Sequence, residues 1–496
     1  MKIHSELPAK HIILFLYAVI TLITAFFHEP WRDEAQAWLL ARDLSPLGLI
    51  REMGYDGSPA LWHFILMPFA KAGIPYPAMQ FIHWGIAVTA VAIFLYKSPF
   101  HLIFKILFIF SYYMIYEYSI IARSYILSIL FLFSIASIYR EKLKRPLSYA
   151  VLVLLLMNTN THNFFPGLAL CLLFIADYYK IYGISHGIKR MKGLIFPVLI
   201  MFGGMLAFTL QLLPPADSWK AGVANGFDWP WIFNAIGDAF MPSYLSNPGM
   251  TLFFKHWTEL AFFTIFFLFI LIYLFKEKEH FFFFAFSVAG LFLIITFKHS
   301  GYLRHYGFIL IYLVFTLWIG NYEGFKEAFN FRKIQQSFHE RLGSFIAYFL
   351  IISLSSSVLY GVSSITTDIK TKFSCAEEMS LVIKNQQFAG NELIAYNVHT
   401  VTAIVPYLPG WKFWDPGLKD YFTFIHWDNK YLPGRKLSEN EILMIAEERN
   451  KVKKSALLLL PYPLSKDGLS NYSLIKAADT NVSGDEKFYL YKLKSN

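Results

Sequence analysis

The stretch that decides the fold is residues 11–42, HIILFLYAVITLITAFFHEPWRDEAQAWLLAR. From Ile12 to Phe27 it is apolar and approaches the roughly 20 residues that a helix needs to cross the hydrocarbon of a bilayer. The apolar run ends at His28, and the adjacent carboxylates of Asp33 and Glu34 follow shortly after it. The stretch therefore predicts a membrane crossing that leads into a charged segment at the membrane surface.

The composition of the whole chain continues this pattern. Of its 496 residues, 56% are hydrophobic, 19% are aromatic and only 16% are charged, which does not describe a water-soluble surface. Further apolar runs occur at Ala78 to Tyr96, Ala261 to Phe275 and Phe345 to Tyr360. The chain is predicted to be a polytopic α-helical membrane protein.

The net charge and the cysteines exclude two other classes of protein. Although the formal charge is +10, Lys and Arg occur in short clusters between apolar runs, as the positive-inside rule expects, so no nucleic-acid partner is predicted. Two cysteines, Cys171 and Cys375, cannot build a disulfide framework or a zinc site of cysteine type. Lys2 and Lys10 precede the first apolar run without a small-residue cleavage site, which predicts an uncleaved anchor with a cytoplasmic N-terminus.

The basic clusters give the topology. Residues 140–145, 180–192, 276–278 and 326–341 are predicted to be cytoplasmic, which leaves the segment after Tyr360 outside. An odd number of crossings is then required. The eleven crossings are expected at about residues 11–27, 77–96, 100–116, 119–139, 146–161, 163–181, 193–213, 256–275, 280–297, 302–320 and 341–361.

The first outside loop, residues 28–76, is expected to be structured. Trp31 to Arg42 and Pro46 to Met53 have amphipathic patterns typical of helices that lie in the membrane interface. The short apolar run Pro59 to Ala72 contains His63 and Pro68 and is expected to lie at the membrane without crossing it.

Two more regions are expected outside the membrane. In the large loop 214–255, aromatic residues such as Trp219 favour membrane anchors over a substrate platform, and both interpretations stay open. Residues 362–496 are predicted to form a small α/β domain that follows the transmembrane domain 1–361. Its helices are expected at 376–386 and 439–453 and its strands at 392–396, 456–461 and 487–492.

Charged residues in the predicted outside loops are candidates for chemistry. Asp33 and Glu34 suit the N-terminus of a helix without any function, but a carboxylate held at the membrane surface can also deprotonate a hydroxyl group or hold a divalent metal ion. Glu117 and Arg123 bracket the second outside loop, where they can neutralise each other or where the arginine can bind a phosphate. His162 lies in the third outside loop, and a lone histidine there is more often simply solvated.

Basic groups gather in a further outside loop. Lys298, His299, Arg304 and His305 lie together there and suit an anionic lipid headgroup. No glycine-rich phosphate loop or nucleotide motif is present in the sequence. Acidic and basic groups at one membrane level therefore predict an outer-interface site for a lipid phosphate, with membrane lipids as partners.

The order of these features resembles the GT-C superfamily of glycosyltransferases that use polyprenyl-phosphate sugars, such as protein O-mannosyltransferases and lipid A aminoarabinose transferases. The matching pieces are Trp31-Arg32-Asp33-Glu34, Gly57-Ser58-Pro59-Ala60-Leu61-Trp62, Ala122-Arg123-Ser124-Tyr125, Thr161-His162-Asn163-Phe164 and Arg304-His305-Tyr306. The family's Lys-Pro-Pro type motif appears as Gly57-Ser58-Pro59, without the lysine.

The resemblance implies an enzyme that transfers a sugar, with inversion, from a polyprenyl phosphate to a hydroxyl of a glycan, lipid or protein acceptor. Asp33 is then the catalytic base with support from Glu34. Arg123 and Arg304 bind the donor phosphate, and Lys298 and His305 of the basic loop are expected at the same phosphate. Glu117 and His162 line the acceptor or metal side. A divalent cation such as Mg²⁺ or Mn²⁺ is an open expectation, and the expected location is a bacterial inner membrane with the catalytic loops and the C-terminal domain extracytoplasmic.

Two other classes of protein stay open from the residues alone. Many crossings and outside charges also suit a transporter, a flippase or a polysaccharide polymerase, although the charges lie in loops and the halves show no hydropathy symmetry. A structural subunit that binds its partner through the tail domain is the third class.

Overall fold

The computed structural model describes residues 7–190, 192–219, 229–242, 256–297, 301–320, 322, 325, 328, 337–385, 392–453 and 457–494. The chain forms two compact units. The helical unit consists of residues 1–22, 83–210 and 224–365, and the loop unit consists of residues 23–82, 211–223 and 366–496.

The helices and strands alternate only toward the end of the chain. In chain order they are α1 Leu7–Phe27, α2 Arg32–Asp43, α3 Pro46–Asp56, α4 Leu61–Lys71, α5 Ala78–Lys97, α6 Leu102–Ile109, α7 Tyr125–Ile138, α8 Pro146–Met157, α9 Phe164–Arg190, α10 Lys192–Leu212, α11 Trp229–Phe240, α12 His256–Leu274, α13 Lys278–Phe297, α14 Leu303–Ile319, α15 Phe338–Lys370, α16 Ala376–Asn385, β1 Glu392–Ala395, α17 Val398–Val401, β2 Lys412–Asp415, β3 Asp420–Phe422, α18 Tyr431–Gly434, α19 Glu439–Lys453, β4 Leu457–Leu460, β5 Tyr472–Ala478 and β6 Phe488–Leu493.

Each predicted crossing contains a helix, but the helices differ in length. Within the described ranges, six helical segments are long and apolar enough to span a bilayer: Leu7–Phe27, Ala78–Lys97, Thr161–Tyr182, Leu194–Leu212, Lys278–Phe297 and Phe338–Lys370. Pro146–Met157, Ala261–Leu274 and Leu303–Ile319 are apolar but shorter. On α10 the side chain of Phe196 is 69% exposed, as expected of a surface that faces lipid tails.

The third and fourth predicted crossings are not continuous helices. Helix α6 ends at Ile109, and a single turn of π-helix at Tyr113–Glu117 follows. Helix α7 begins only at Tyr125, six residues after the predicted start at 119. Gly307 of α14 explains part of this irregularity, because a Cβ atom there would lie 2.4 Å from the ring of Tyr113. The absence of a side chain lets the irregular turn approach α14.

The loop unit begins with three short helices after α1. Pro46 at the first position of α3 follows Ser45, whose hydroxyl accepts from the amide of Gly48, so this helix has a standard N-cap. Gly57 ends α3 in the left-handed conformation at φ 80°, which glycine adopts without strain. Helices α2 and α4 pack against each other, and the predicted juxtamembrane segment Pro59 to Ala72 corresponds to α4.

The C-terminal part of the loop unit is an α/β fold. Its six strands have the order β3-β2-β1-β4-β6-β5, in which β1 is parallel to β2 and β4 while the other pairs are antiparallel. Helix α19 covers one face, and Ile442 and Ala446 are buried against Leu458 and Tyr491. The predicted helices at 376–386 and 439–453 and the strands at 392–396, 456–461 and 487–492 all occur.

The sequence analysis missed β2, β3 and β5. Strand β5 has a register shift between Leu474 and Lys476, which interrupts the alternation of buried and exposed residues that marks a strand in sequence. Strands β2 and β3 have only four and three residues. The domain boundary at residue 361 stays a prediction, and residues 28–76 share a compact unit with the C-terminal segment.

Candidate active site

The acidic pair lies in the first turn of α2, in the loop unit. Trp31 precedes the helix in extended conformation, with φ −100° and ψ −179°. The Oε2 atom of Glu34 accepts from the amide of Trp31 at 3.1 Å, which satisfies one of the donors that a helix start leaves without a partner. The side chain of Glu34 is completely buried, so it has a role in holding the helix start.

A buried histidine connects Glu34 to the end of α15. The Nε2 atom of His28 lies 3.2 Å from Oε2 of Glu34, and its Nδ1 atom lies 2.7 Å from Oδ2 of Asp368. Burial lowers the pKa of His28, but the carboxylates of Asp368 and Glu34 outweigh this effect and raise it to about 10. His28 is therefore an imidazolium ion that donates to both carboxylates. Gln80 donates to the second oxygen of Glu34 at 2.8 Å.

Residues of the C-terminal segment form hydrogen bonds with Arg32 at the start of α2. The amide of Arg32 donates to Oε1 of Glu486 at 2.7 Å, and its guanidinium group donates to Asp485 at 2.6 Å. Ser374 donates to the second oxygen of Glu486 at 2.6 Å. Burial raises the pKa of Glu486 to about 8. The backbone and the arginine at the start of α2 are thus held by residues that lie more than 340 positions later in the chain.

Asp33 differs from both of its neighbours because its side chain is half-buried, whereas Arg32 and Glu34 are buried. His399 of α17 lies close enough to interact electrostatically with Asp33 and Arg32. Burial, with the nearby charges of Arg32 and Arg435, lowers the pKa of His399 to about 4, so its imidazole is neutral at physiological pH. Of the acidic pair, Asp33 is the carboxylate that a ligand in solvent can reach.

The basic residues gather at the start of α14, in the helical unit. Tyr302 precedes this helix in extended conformation, with φ −128° and ψ 168°, and its amide donates to Nδ1 of His305 at 3.0 Å. Because Nδ1 accepts this bond, Nε2 carries the proton and donates to the hydroxyl of Tyr125 at 3.0 Å. His305 is therefore a buried, neutral positioning group that holds Tyr125.

Tyr125 brings together three of the residues singled out in the sequence. The ring of His162 is nearly parallel to that of Tyr125, with 5.8 Å between the ring centroids and 14° between the planes. The guanidinium carbon of Arg123 lies 5.7 Å from the same ring, and His162 lies 5.9 Å from His305. The structure thus joins Arg123, His162 and His305 in one cluster.

Arg304 belongs to the same cluster through the backbone. The hydroxyl of Tyr118 donates to the carbonyl oxygen of Arg304 at 2.7 Å, and the ring of Tyr118 lies 6.1 Å from that of Tyr125. The guanidinium carbon of Arg304 lies 5.0 Å from the ring of Tyr302, which is exposed. Arg123 and Arg304 are both half-buried. Arg304 thus lies at the N-terminus of α14 and Arg123 lies beside Tyr125, whose hydroxyl contacts His305 in the same first turn, and this combination suits an anion.

Glu117 and Lys298 are the two remaining candidates from the sequence. Glu117 is buried and accepts from the hydroxyl of Tyr112 at 2.5 Å, at the end of the π-helical turn that leads to Tyr118. It therefore lies next to the cluster in the chain but is engaged by a tyrosine. Lys298 lies outside the described residues.

The structure also identifies a residue that the sequence analysis missed. His399 follows β1, and a residue just beyond the carboxyl end of a parallel strand is a common place for a ligand contact in α/β folds. The position of His399 directly after a predicted strand could therefore have indicated it as a candidate from the sequence. For the open expectation of a metal, the described part of the chain contains no group of three or more His, Cys, Asp or Glu side chains arranged to hold an ion.

Together these features define a fold, a polytopic helical body with a small C-terminal sheet domain. The fold is similar to that of the crystal structure of ArnT from Cupriavidus metallidurans bound to undecaprenyl phosphate, with a TM-score of 0.53 and 8% sequence identity over 97% of each chain. This likeness confirms the fold that was expected from the sequence resemblance. No protein-family model and no curated protein matches the sequence.

Proposed function

We propose that this protein transfers a sugar from a polyprenyl phosphate to an acceptor hydroxyl at the outer face of the membrane, with inversion at the anomeric carbon. The observation that carries the proposal is the pair of half-buried arginines, Arg123 beside the ring of Tyr125 and Arg304 at the start of α14, which the hydrogen bond between Tyr125 and His305 connects. The similar fold of a protein bound to undecaprenyl phosphate supports a lipid-linked donor.

Arg123 and Arg304 bind the phosphate of the donor in this proposal. Arginine suits the task because its planar guanidinium group can donate two parallel hydrogen bonds to phosphate oxygens. The amides at the start of α14 add a positive partial charge. A sugar phosphate breaks its C1–O bond more easily when the leaving phosphate is stabilised by fixed positive charge, so the cluster acts on the transition state as well as on binding.

Asp33 is the general base. The acceptor oxygen attacks the anomeric carbon, its proton passes to the carboxylate of Asp33, and the bond between that carbon and the phosphate oxygen breaks to release polyprenyl phosphate. General base catalysis of this kind typically contributes about 10² to 10⁴ in rate. Glu34 does not exchange a proton with the substrate in this scheme and instead holds the first turn of α2. No step is routed through a metal ion.

His162 and Glu117 have supporting roles. His162 packs face to face with Tyr125 and so fixes the aromatic ring that Arg123 lies beside. Glu117 accepts from Tyr112 and fixes the turn that leads to Tyr118, whose hydroxyl donates to the backbone of Arg304. Both are proposed to position the phosphate-binding arginines.

The test is transfer from synthetic undecaprenyl-phosphate-linked sugars by the purified protein in lipid nanodiscs. Release of undecaprenyl phosphate is measured for the original protein and for Asp33→Asn. We expect the variant to lose transfer by about 10² to 10⁴-fold because the amide cannot take the proton. The matched control is Asp43→Asn, which removes an exposed carboxylate from the other end of α2, where it pairs with Arg42.

The outcomes separate the enzyme from the other classes. Transfer in Asp43→Asn at the original rate, with loss in Asp33→Asn and an unchanged thermal unfolding temperature, supports the proposal. Equal transfer in both variants would overturn the role of Asp33. After reconstitution into sealed vesicles, movement of an intact lipid-linked sugar from one leaflet to the other, with no cleavage of the sugar, would instead indicate a flippase.

A further inference from the structure

Two tryptophans from distant parts of the chain pair in the loop unit. The rings of Trp219 and Trp427 are close to parallel, with 5.4 Å between centroids and 29° between planes. The amide of Trp219 donates to the carbonyl oxygen of Trp427 at 3.2 Å, and a β-bridge joins Ser218 to Asp428. The pairing is therefore held by the backbone and does not depend on the rings alone.

Other aromatic rings extend this pair. His399 lies 5.9 Å from Trp427 with its ring nearly perpendicular, and Tyr431 lies 4.7 Å from Trp427. Trp219, Trp427 and His399 are half-buried, so part of each ring is accessible, whereas Tyr431 is buried beneath them. We call Trp219, Trp427 and His399 the aromatic strip.

The aromatic strip lies beside the helix that carries Asp33. Gln36 follows Asp33 by three positions and so lies on the same face of α2. Its side chain makes two hydrogen bonds of 2.8 Å to the backbone of Ile425, one as donor and one as acceptor. Because Ile425 is two residues from Trp427, and α17 with His399 packs on α2, the strip adjoins the face that presents Asp33.

Membrane anchoring is the other role for tryptophans of this region. An anchor presents its ring to lipid with its own backbone near the interface. The ring of Trp219 instead packs on Trp427, in the C-terminal segment. This contact holds the ring of Trp219 within the loop unit.

We propose that the aromatic strip binds a pyranose ring of the acceptor and directs its hydroxyl toward Asp33. The apolar, C–H-bearing face of a pyranose packs well on aromatic rings such as those of Trp219 and Trp427. The proposal rests on the proposed function for the role of Asp33, and it makes the acceptor a carbohydrate and not a protein side chain.

The experiment measures binding without transfer. Saturation-transfer-difference NMR is recorded on the full chain in nanodiscs with the methyl glycosides of glucose, galactose, mannose and N-acetylglucosamine. We expect saturation of the ring protons of at least one glycoside and a reduction of at least about fivefold in Trp427→Ala. Trp219→Ala, which keeps the backbone bond between the two segments, should give a similar loss. A threonine-containing peptide should give no signal.

Two control variants make the outcome specific. Trp411→Ala removes a half-buried tryptophan from the start of β2 in the same unit and should leave the glycoside signal unchanged. Asp33→Asn should keep the glycoside signal, because binding of the sugar does not require the general base. A failure of Asp33 as the base would therefore appear in the transfer assay and not in this binding measurement. The inference is overturned if no glycoside is saturated, if the signal survives in both Trp427→Ala and Trp219→Ala, or if the peptide binds in place of the sugars.

Discussion

The first turns of α2 and α14 have the same construction and opposite charge. Each helix follows an aromatic residue in extended conformation, Trp31 or Tyr302. In each, the third residue accepts from the amide of that aromatic residue, Glu34 at 3.1 Å and His305 at 3.0 Å. The third residue is buried in both helices.

The second residue of each turn, Asp33 or Arg304, differs in the sign of its charge and therefore in how the helix dipole affects it. Asp33 and Arg304 are both half-buried, but the N-terminus of a helix stabilises an anion and destabilises a cation by about 0.3 to 1 kcal/mol. The position of Asp33 therefore has a sufficient explanation in local stability. Arg304 carries a charge that opposes the helix dipole, and its guanidinium group lies beside the ring of Tyr302. In the proposed function the donor phosphate would be a favourable partner for this cation, which makes Arg304 the residue to test for donor binding.

The largest expected effect concerns the buried third residue of α2. Glu34→Ala removes one of the two carboxylates that face His28 and the acceptor for Gln80. Loss of one partner of a buried charge typically costs about 3 to 5 kcal/mol, and this should appear as faster hydrogen exchange of the α2 amides. Glu52→Ala is the control, because its partner His426 is substantially exposed and the pair should contribute less than about 1 kcal/mol.

If Glu34→Ala leaves the exchange of α2 as slow as in the original protein, the helix start is not held by this carboxylate. The bond from the third residue back to the preceding amide, which both turns share, would then not be what stabilises the start of α2.

The next effect concerns the second residue of α14. Arg304→Ala should weaken binding of undecaprenyl phosphate by about 100-fold, because hydrogen bonds to charged groups contribute about 1.5 to 3 kcal/mol. The thermal unfolding temperature should stay constant or rise slightly, because a cation leaves the positive end of a helix. The control is Arg341→Ala, which removes an exposed arginine near the start of α15. A fall in stability with unchanged binding would assign Arg304 a structural role.

The most gradual effect is a dependence of stability on pH. Burial raises the pKa of Glu29 to about 7, and the pKa of His28 is raised to about 10 by its two carboxylates, despite burial. Both values lie above those of the unfolded chain. The stabilisation is therefore complete at low pH and is lost as pH rises toward 7 for Glu29 and toward 10 for His28.

Thermal unfolding measured from pH 5 to pH 10 should consequently show a falling midpoint. Glu29→Gln should flatten the part of the curve between about pH 5 and 7, since a side chain that cannot ionise no longer contributes to it. A midpoint that rises over this range would contradict the assignment of these groups.

Sequence patterns predicted elements well where one period was maintained. Apolar runs gave the helices, and the period of Glu439–Lys453 gave α19. Sequence patterns failed where the conformation of a segment depends on a contact with a distant part of the chain. The π-helical turn at Tyr113–Glu117 depends on its approach to Gly307, and β5 depends on a register shift opposite β6. Neither appears in a local pattern.

The candidate site was predictable only in part for a related reason. The adjacency of Asp33 and Glu34 indicated an acidic helix start, but only the partners of each side chain separate the buried carboxylate from the accessible one. The meeting of Arg123, His162 and His305 requires Tyr125 as a shared neighbour, and no spacing in the sequence gives that. His399 acts near Asp33 from more than 360 positions away.

The hydrogen bond from the amide of Arg32 to Glu486 cannot form until almost all of this chain has been synthesised. The amide of Arg32 and the carboxylate that accepts from it are 454 positions apart. At about 5 to 20 residues per second, a ribosome delivers the second partner roughly 20 to 90 s after the first. Throughout that interval the amide of Arg32 lacks this acceptor, so water must accept from it until Glu486 has been synthesised.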